Sequence, residues 1–486
     1  MNHKTSADQD GKVGYAFVHT IGGKSVASPS VIDVINPATG TVFAQSPDAT
    51  QAQLDEAVDA ARQAFCSWSH LSFAERRAYL HRFAEKVRQN ADELATLVTR
   101  EQGKPFAAAQ REIAGTCRSF EEISKIEVPD EILRDDGKNR ISLHYRPMGV
   151  VGGITPWNVP VGLAAHKIAQ ALYTGNTLVL KPSPYTPLAT LLLGELSQDI
   201  LPPGVLNIIS GGNDLGRWLT EHPGVDKISF TGSGPTGKRV MASAAGTLKR
   251  VSLELGGNDP AIVLDDANLG ESLPKIFHGA FWMSGQVCMA VKRVYVPDNL
   301  YDRVCDSFVA MAGELRVGEG FEPGVTMGPL QNKMQFDKVL GMLDETKRRP
   351  GVKVLTGGHA FNRPGYFIEP TIIADVEDDA PIVAEEQFGP VLPVLRYSDV
   401  EDVIERANDT RMGLSASVWT GDIERGRQVA ERIEAGTVWV NHHLGSEPDI
   451  PFGGFKESGL GREQGLMGLH GYMEAQVINL PKAGQA

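Results

Sequence analysis

The spacing of apolar residues changes several times along this chain, and each change marks an element. After Asp48-Ala-Thr-Gln51, the residues Leu54, Val58, Ala61 and Phe65 recur every three to four positions, the stripe of an amphipathic helix with a capping entry. A second helical block is predicted over 73–102, with Leu80, Phe83, Val87, Leu94 and Leu97 on its apolar face. The first forty residues read as short strands and turns ending in the turn cluster Asn36-Pro37-Ala38-Thr39-Gly40. From Met148 short apolar runs alternate with amphipathic helices; the runs include GVVGGI, NTLVLK, VLNIIS, KISFTG and AIVLDD. Strands of four to six residues, each followed by a helix, predict a parallel sheet covered on both faces.

The second half repeats this theme with strands over 293–296, 354–355, 391–395 and 437–440, which predicts a second α/β domain beginning after Gly257. The tail, 471–481, reads as a strand with no helix after it. Such a strand needs a sheet edge, in this chain or in a neighbouring subunit, and 128–145 is a candidate partner.

Composition narrows the class. A chain of 486 residues exceeds one small core, and 42% hydrophobic with 22% charged residues is ordinary for a folded globular protein. The formal charge of −13 argues against a nucleic-acid partner, which needs clustered Lys and Arg. Cys66, Cys117, Cys288 and Cys305 form no CxxC pair, so neither a disulfide scaffold nor a metal site is expected, and a reducing, cytoplasmic setting fits. The polar start MNHKTSADQDGKVG lacks the apolar core of a signal peptide. The uncharged stretch 149–165 is broken by Gly152, Gly153, Pro156 and Pro160 and is shorter than the ~20 residues of a spanning helix, so no membrane partner is expected.

Five motifs carry chemistry. A lone Cys is ordinarily a small buried hydrophobe, but Gly285-Gln286 before Cys288 shapes the backbone around that thiol. Glu254 stands in the apolar run VSLELGGN; burial would raise its carboxyl toward the range of a general base, whereas a helix cap or a pair with Arg250 is the plainer role. Asn158, braced by Trp157 and two prolines, suits an oxyanion donor or a turn. Gly232, Gly234 and Gly237 match GxGxxG between a strand and a helix, where a helix N-terminus can meet phosphate. The acidic residue expected about twenty positions on coincides with Glu254, so the dinucleotide is held differently from the standard arrangement. Lys181 ends the run NTLVLK, at the kind of strand end where ligands of open α/β sheets sit.

Together these motifs resemble the aldehyde dehydrogenase superfamily over nearly the whole chain. The order PWN, KPS, FTGS, ELGG, GQ-x-C, EE-x-FGP and PFGG-x-K-x-SG-x-GRE is complete, and thirty-four positions separate Glu254 from Cys288, as in the family. The resemblance implies Cys288 as nucleophile, Asn158 with the Cys288 N–H as oxyanion hole, and Glu254 as the base that activates hydrolytic water. It implies supporting proton-relay roles for Lys167 and Glu463. On the cofactor side it implies Lys181 and Ser183 at the adenine ribose and Gly232, Ser233 and Gly237 near the pyrophosphate. Glu386 and Phe388 would hold the nicotinamide ribose, with Thr155, Pro156, Trp157 and Leu255 alongside. The aldehyde tunnel would be lined by Val159, Leu163, Trp282, Val287 and Met289.

The implied fold is α/β: an atypical Rossmann cofactor domain (1–125 and 147–256), a catalytic domain (257–456), and a small β arm (126–146 and 457–486) that builds a homodimer or homotetramer. The implied reaction is aldehyde oxidation through a cysteine thiohemiacetal and thioester, with NAD as cofactor and NADP as an alternative. Pro184 replaces the Glu of the common KPSE sequence, which removes repulsion against a 2′-phosphate, though similar KPSP members use NAD. Val159 stands where an aromatic is common. The loop 443–449 adds two carboxylates of possible use toward a cationic aldehyde, and His166 reads as a locally satisfied helix residue. A CoA-acylating semialdehyde dehydrogenase would lack Glu254, and a non-catalytic structural protein of this fold would have lost Cys288 or Glu254.

Overall fold

The structure, a computed structural model, describes residues 15–482. The polar N-terminal segment and both outer limits of the expected domains lie outside the described residues. The first sheet has five parallel strands in the order Leu206–Ile208, Thr177–Lys181, Val150–Ile154, Lys227–Thr231 and Arg250–Glu254. Its earliest strand is therefore internal, and strand order reverses between Val150–Ile154 and Lys227–Thr231. Such a switch point opens a crevice at the carboxyl ends of the strands. His19–Ile21 with Lys24–Val26, and Gly459–Leu460, extend its two edges in antiparallel fashion.

Why these runs form strands is visible in their burial. Val150 and Val151, or Leu178 and Val179, point to opposite faces and enter separate apolar clusters, because successive side chains alternate across a sheet. The second sheet has six parallel strands and an antiparallel edge, in the order Lys353–Thr356, Thr371–Ala374, Val391–Tyr397, Val291–Pro297, Asp259–Val263, Ser415–Trp419 and Thr437–Val440. It too divides its core, with Ile262 and Tyr295 on one face and Val263 and Val294 on the other.

Several expectations need correction. The block 73–102 is two helices, Phe73–Gln89 and Ala91–Gln102. Asn90 leaves helical geometry (φ −114°, ψ 21°), and its side chain donates to the Lys86 carbonyl, local competition that Asn favours. Two strands of the second sheet escaped the sequence pattern, Thr371–Ala374 and Ser415–Trp419. In the second, Ser415 and Ser417 are buried, so no continuous apolar run announces it. The tail strand Met473–Pro481 pairs along nine residues with Asn139–Pro147 of its own chain, and Glu131–Asp135 completes that three-stranded arm. Gly459–Leu460 returns to the edge of the first sheet, where it pairs with Leu253 and Glu254.

Candidate active site

Glu254 is the last residue of its strand, and Leu255-Gly256-Gly257-Asn258 leads directly into the first strand of the second sheet. The carboxyl is thus held where the two sheets meet. It is 5% exposed, and neither oxygen has a hydrogen-bond partner among the described residues. Burial pushes its pKa well above the usual carboxylate value and the nearby Glu463 charge adds to this; Lys167 and Arg462 oppose. Gly453 allows the close fit, since a Cβ there would stand 2.9 Å from Glu254 Oε1. Arg250 is not its partner; that guanidinium pairs with Glu474 at 2.9 Å.

Cys288 follows a tightly wound turn. Met283, Ser284 and Gly285 are all left-handed (φ 53°, 59° and 70°), a strained path for two residues with side chains. At Gly285 a Cβ would lie 2.2 Å from the Gly389 carbonyl oxygen, so only glycine fits. Gln286 locks the turn, its amide donating to the Met283 and Pro329 carbonyls and accepting from Gln331 N–H. Cys288 is half-buried, whereas Cys117 and Cys305 are buried and Cys66 is exposed. Burial pushes its thiol up to about 12; Lys292 draws it down, and Glu386, Asp259 and Glu254 push it further up. The thiol at neutral pH is therefore protonated and needs a proton acceptor.

Asn158 sits in the switch-point loop after Val150–Ile154. It is 3% exposed, and its Nδ2 donates to the Gln286 carbonyl at 2.9 Å, which brings it to the turn that carries Cys288. The loop is held at both ends by one buried ion pair that the sequence did not reveal. Lys104 Nζ donates to the Asn158 carbonyl (2.9 Å) and to Glu112 (2.5 Å). Glu112 in turn accepts from the Val161 and Gly162 N–H groups, which open the helix Pro160–Tyr173.

Lys167 lies on that helix, fully buried. Its ammonium donates to Glu463 (2.6 Å), Ser229 (2.9 Å) and Thr231 (2.9 Å). This pair approaches Glu254 electrostatically but shares no hydrogen bond with it. His166 meets Gln464 (3.2 Å), a local contact as expected.

Most of the residues expected around a dinucleotide stand at or just after the carboxyl ends of the first sheet's strands. Thr155 N–H donates to the Lys181 carbonyl at 3.1 Å, and its buried Oγ1 has no partner among the described residues. Lys181 is 4% exposed and among the described residues bonds only the Pro182 carbonyl, and burial draws its ammonium down to about 8. Ser183 Oγ accepts from Tyr185 N–H. Gly232 N–H donates to the Glu254 carbonyl, and Ser233 caps the helix Gly234–Ala245 without bonding its first-turn N–H groups. Those groups stay open to an anion. Gly237 lets this helix pack on Leu255, whose Cδ2 would lie 2.6 Å from a Cβ there. Across the crevice, Glu386 accepts from Gly257 N–H (3.2 Å), and Phe388, itself left-handed at φ 55°, meets the Trp157 ring edge-on at 5.3 Å while Pro156 stays half-buried. Idle polar groups at a strand-end lysine, an open helix N-terminus and a half-buried carboxylate fit a dinucleotide.

Four of the five expected tunnel residues, Val159, Trp282, Val287 and Met289, pack in one apolar cluster. Leu163 is half-buried outside that cluster. Met283 and Leu444 join it and were missed, the second because its loop was read for charge. In that loop Glu447 pairs with Arg118, Asp449 is exposed, and His443 is buried between Ser417 and the Met289 carbonyl.

A switch point with an open helix N-terminus, in a chain that also holds a half-buried thiol, fits an oxidoreductase that binds a dinucleotide. Comparison with known proteins makes this specific. The model of the aldehyde dehydrogenase family matches residues 25–478, and the chain belongs to that family. It is similar to the mitochondrial succinate-semialdehyde dehydrogenase of Arabidopsis thaliana, 40% identical over 95% of this chain and 88% of that one. An aldehyde dehydrogenase of Agaricus bisporus is 38% identical over 93% of this chain and 92% of its own length. The NAD+ complex of an aldehyde dehydrogenase from Bacillus cereus superposes with a TM-score of 0.94 at 38% identity, covering 96% and 97% of the two chains. The fold is thus the aldehyde dehydrogenase fold, and the activity is oxidation of an aldehyde to its acid with a nicotinamide dinucleotide.

Proposed function

We propose that Cys288 is the nucleophile, Asn158 with the Cys288 N–H the oxyanion hole, and Glu254 the base. The observation that carries this is Glu254: a buried carboxyl with no hydrogen-bond partner among the described residues, at the junction of the sheets and electrically coupled to the Cys288 thiol. As the Cys288 sulfur bonds to the aldehyde carbon, the carbonyl electron pair moves onto oxygen, where Asn158 Nδ2–H and the Cys288 N–H stabilise it. The thiol proton passes to Glu254. Bound NAD+ supplies the acceptor for the hydride that leaves this carbon, and a thioester remains on Cys288. Glu254 passes that proton on before it takes one from water, whose oxygen attacks the thioester; the carbon–sulfur bond then breaks, and the leaving sulfur takes the water's proton back from Glu254, which restores the Cys288 thiol. A free base at this position favours water over CoA as acyl acceptor.

Lys167 and Glu463 would pass on the proton that Glu254 collects. Lys181 and Ser183 would hold the adenine ribose, Gly232, Ser233 and Gly237 the pyrophosphate, and Glu386 with Phe388 the nicotinamide ribose, lined by Thr155, Pro156, Trp157 and Leu255. Pro184 leaves no carboxylate against a 2′-phosphate; NAD is the preferred cofactor on this reading, with NADP accepted. The aldehyde would present an apolar body to Val159, Leu163, Trp282, Val287 and Met289, joined by Leu444. The cofactor domain (1–125, 147–256), catalytic domain (257–456) and arm (126–146, 457–486) follow the same reading. Exposed Ile132, Leu133, Val477 and Leu480 on the arm support assembly into a homodimer or homotetramer. Four free thiols suit the cytoplasm.

The test is NADH formation with aliphatic, aromatic and amino-aldehydes. Cys288→Ala should abolish it, and Glu254→Gln should release one burst of NADH and then stall on acyl-enzyme. Steady turnover by either variant would remove that residue from its role.

A further inference from the structure

Lys292 is a buried cation beside the nucleophile that no step above employs; 2% of its side chain is exposed. Its ammonium fills the inside of the turn over 287–290, donating to the carbonyl oxygens of Cys288 (2.7 Å), Val287 (3.0 Å) and Ala290 (3.4 Å). Two carboxylates balance its charge. Asp259 Oδ2 stands at 3.4 Å and Glu386 Oε1 at 3.7 Å. Both are themselves fixed, Asp259 by Ser415 N–H at 2.7 Å and Glu386 by Gly257 N–H at 3.2 Å. Gly257 is required here, because a Cβ would lie 2.7 Å from the Cys288 carbonyl oxygen and 2.6 Å from Asp259.

We infer that Lys292 is a positioning residue: by holding the Val287 carbonyl it sets the peptide plane whose other end is the Cys288 N–H, and it ties that plane to Glu386. The inference rests on the roles proposed above for Cys288 and Asn158. A trans peptide is rigid, with its carbonyl and N–H pointing in opposite directions. The Val287 oxygen has two donors on one side, Lys292 Nζ and the Ala290 N–H at 3.1 Å. The Cys288 N–H is therefore aimed away from the ammonium. Asn158 is referred to the same turn, through its bond to the Gln286 carbonyl one peptide earlier. Both oxyanion donors thus take their aim from residues 286–288, and Lys292 fastens that turn from beneath. The charge also helps directly, as Lys292 is the main influence drawing the Cys288 thiol down against its burial.

The experiment is a double-mutant cycle read by single-turnover hydride transfer to NAD+, using wild type, Lys292→Met, Asn158→Ala and the pair. Lys292→Met should slow the hydride step by about 100-fold, the loss typical of one oriented oxyanion donor. In the Asn158→Ala background the same change should slow it by less than about tenfold, because both groups serve one oxygen. A contribution to folding alone would leave the two penalties equal. The inference is overturned if Lys292→Met stays within about threefold of wild type, or if its penalty is undiminished beside Asn158→Ala. Should Lys292→Met fail to fold, the cycle is run with Lys292→Gln, whose neutral amide lacks the charge and one of the three donors, and the same outcomes decide. An unimpaired Cys288→Ala or Asn158→Ala would sink the underlying reading instead. Impairment of both, beside an unimpaired Lys292→Met, sinks this inference alone.

Discussion

Replacing Glu254 by Met should make the protein more stable and nearly inactive. Both carboxyl oxygens are buried without partners among the described residues, and an unsatisfied buried polar group costs about 1–3 kcal/mol. Met has a similar volume and adapts to its surroundings, so the variant should gain about that amount in denaturant unfolding at neutral pH. Turnover should fall at least about 100-fold with the loss of a general base. The pH dependence has a definite sign. Because the folded protein raises the Glu254 pKa, it keeps a proton that the unfolded chain releases. The stability linked to this group is full below the unfolded carboxyl value and is lost as pH rises through the folded value. Met lacks that loss, so its advantage widens toward alkaline pH. Guanidinium unfolding of both proteins at about pH 6, 7.5 and 9, followed by tryptophan fluorescence, measures it. No gain at any pH, or a gain that shrinks as pH rises, would refute the reasoning and imply a partner for the carboxyl in solution.

Two further outcomes follow from the same electrostatics. With the Cys288 thiol near 12, its alkylation by iodoacetamide in the free enzyme should accelerate about tenfold per pH unit between about pH 7 and 10; a plateau below about pH 8 would contradict the burial assigned to it. Glu463→Gln removes a charge that raises Glu254 and leaves Lys167 unopposed, so the ascending limb of kcat against pH should move down by about one unit. An unmoved or upward-moving limb would separate Glu463 from the base.

What could be read from the sequence is what chemistry confines to short segments. Cys288, Glu254 and Asn158 each stand in a motif whose glycines and prolines shape the local chain, and the structure brings all three to the junction of the sheets. Four of the five parallel strands of the first sheet were legible because each is a compact apolar run; the fifth, Arg250–Glu254, mixes Arg, Ser and Glu with its apolar residues and was read for its carboxylate instead. Lys104, Glu112 and Lys292 were not, since a lysine looks like a surface residue until distant parts of the chain surround it. Lys292 owes its burial to Asp259, Glu386 and three carbonyls, a set spanning well over a hundred positions. The left-handed turn at Met283 and Ser284 was hidden for a different reason: neither residue favours that geometry, and the surrounding packing imposes it. Ser415–Trp419 was masked by serines whose burial depends on neighbouring strands.

The pairing of Met473–Pro481 with Asn139–Pro147 has a consequence for how the protein is made. These partners are more than three hundred residues apart, and Gly459–Leu460, which closes one edge of the first sheet, also arrives long after its partner Arg250–Glu254. During synthesis the N-terminal half emerges with Asn139–Pro147 and Arg250–Glu254 still lacking these partners. Contacts of such long sequence separation form late and slowly, and unpaired strand edges invite association between chains. The nascent chain therefore carries two open edges until residues 459–481 have left the ribosome. Loss of the final strand should show itself first as aggregation during expression, before any defect in chemistry.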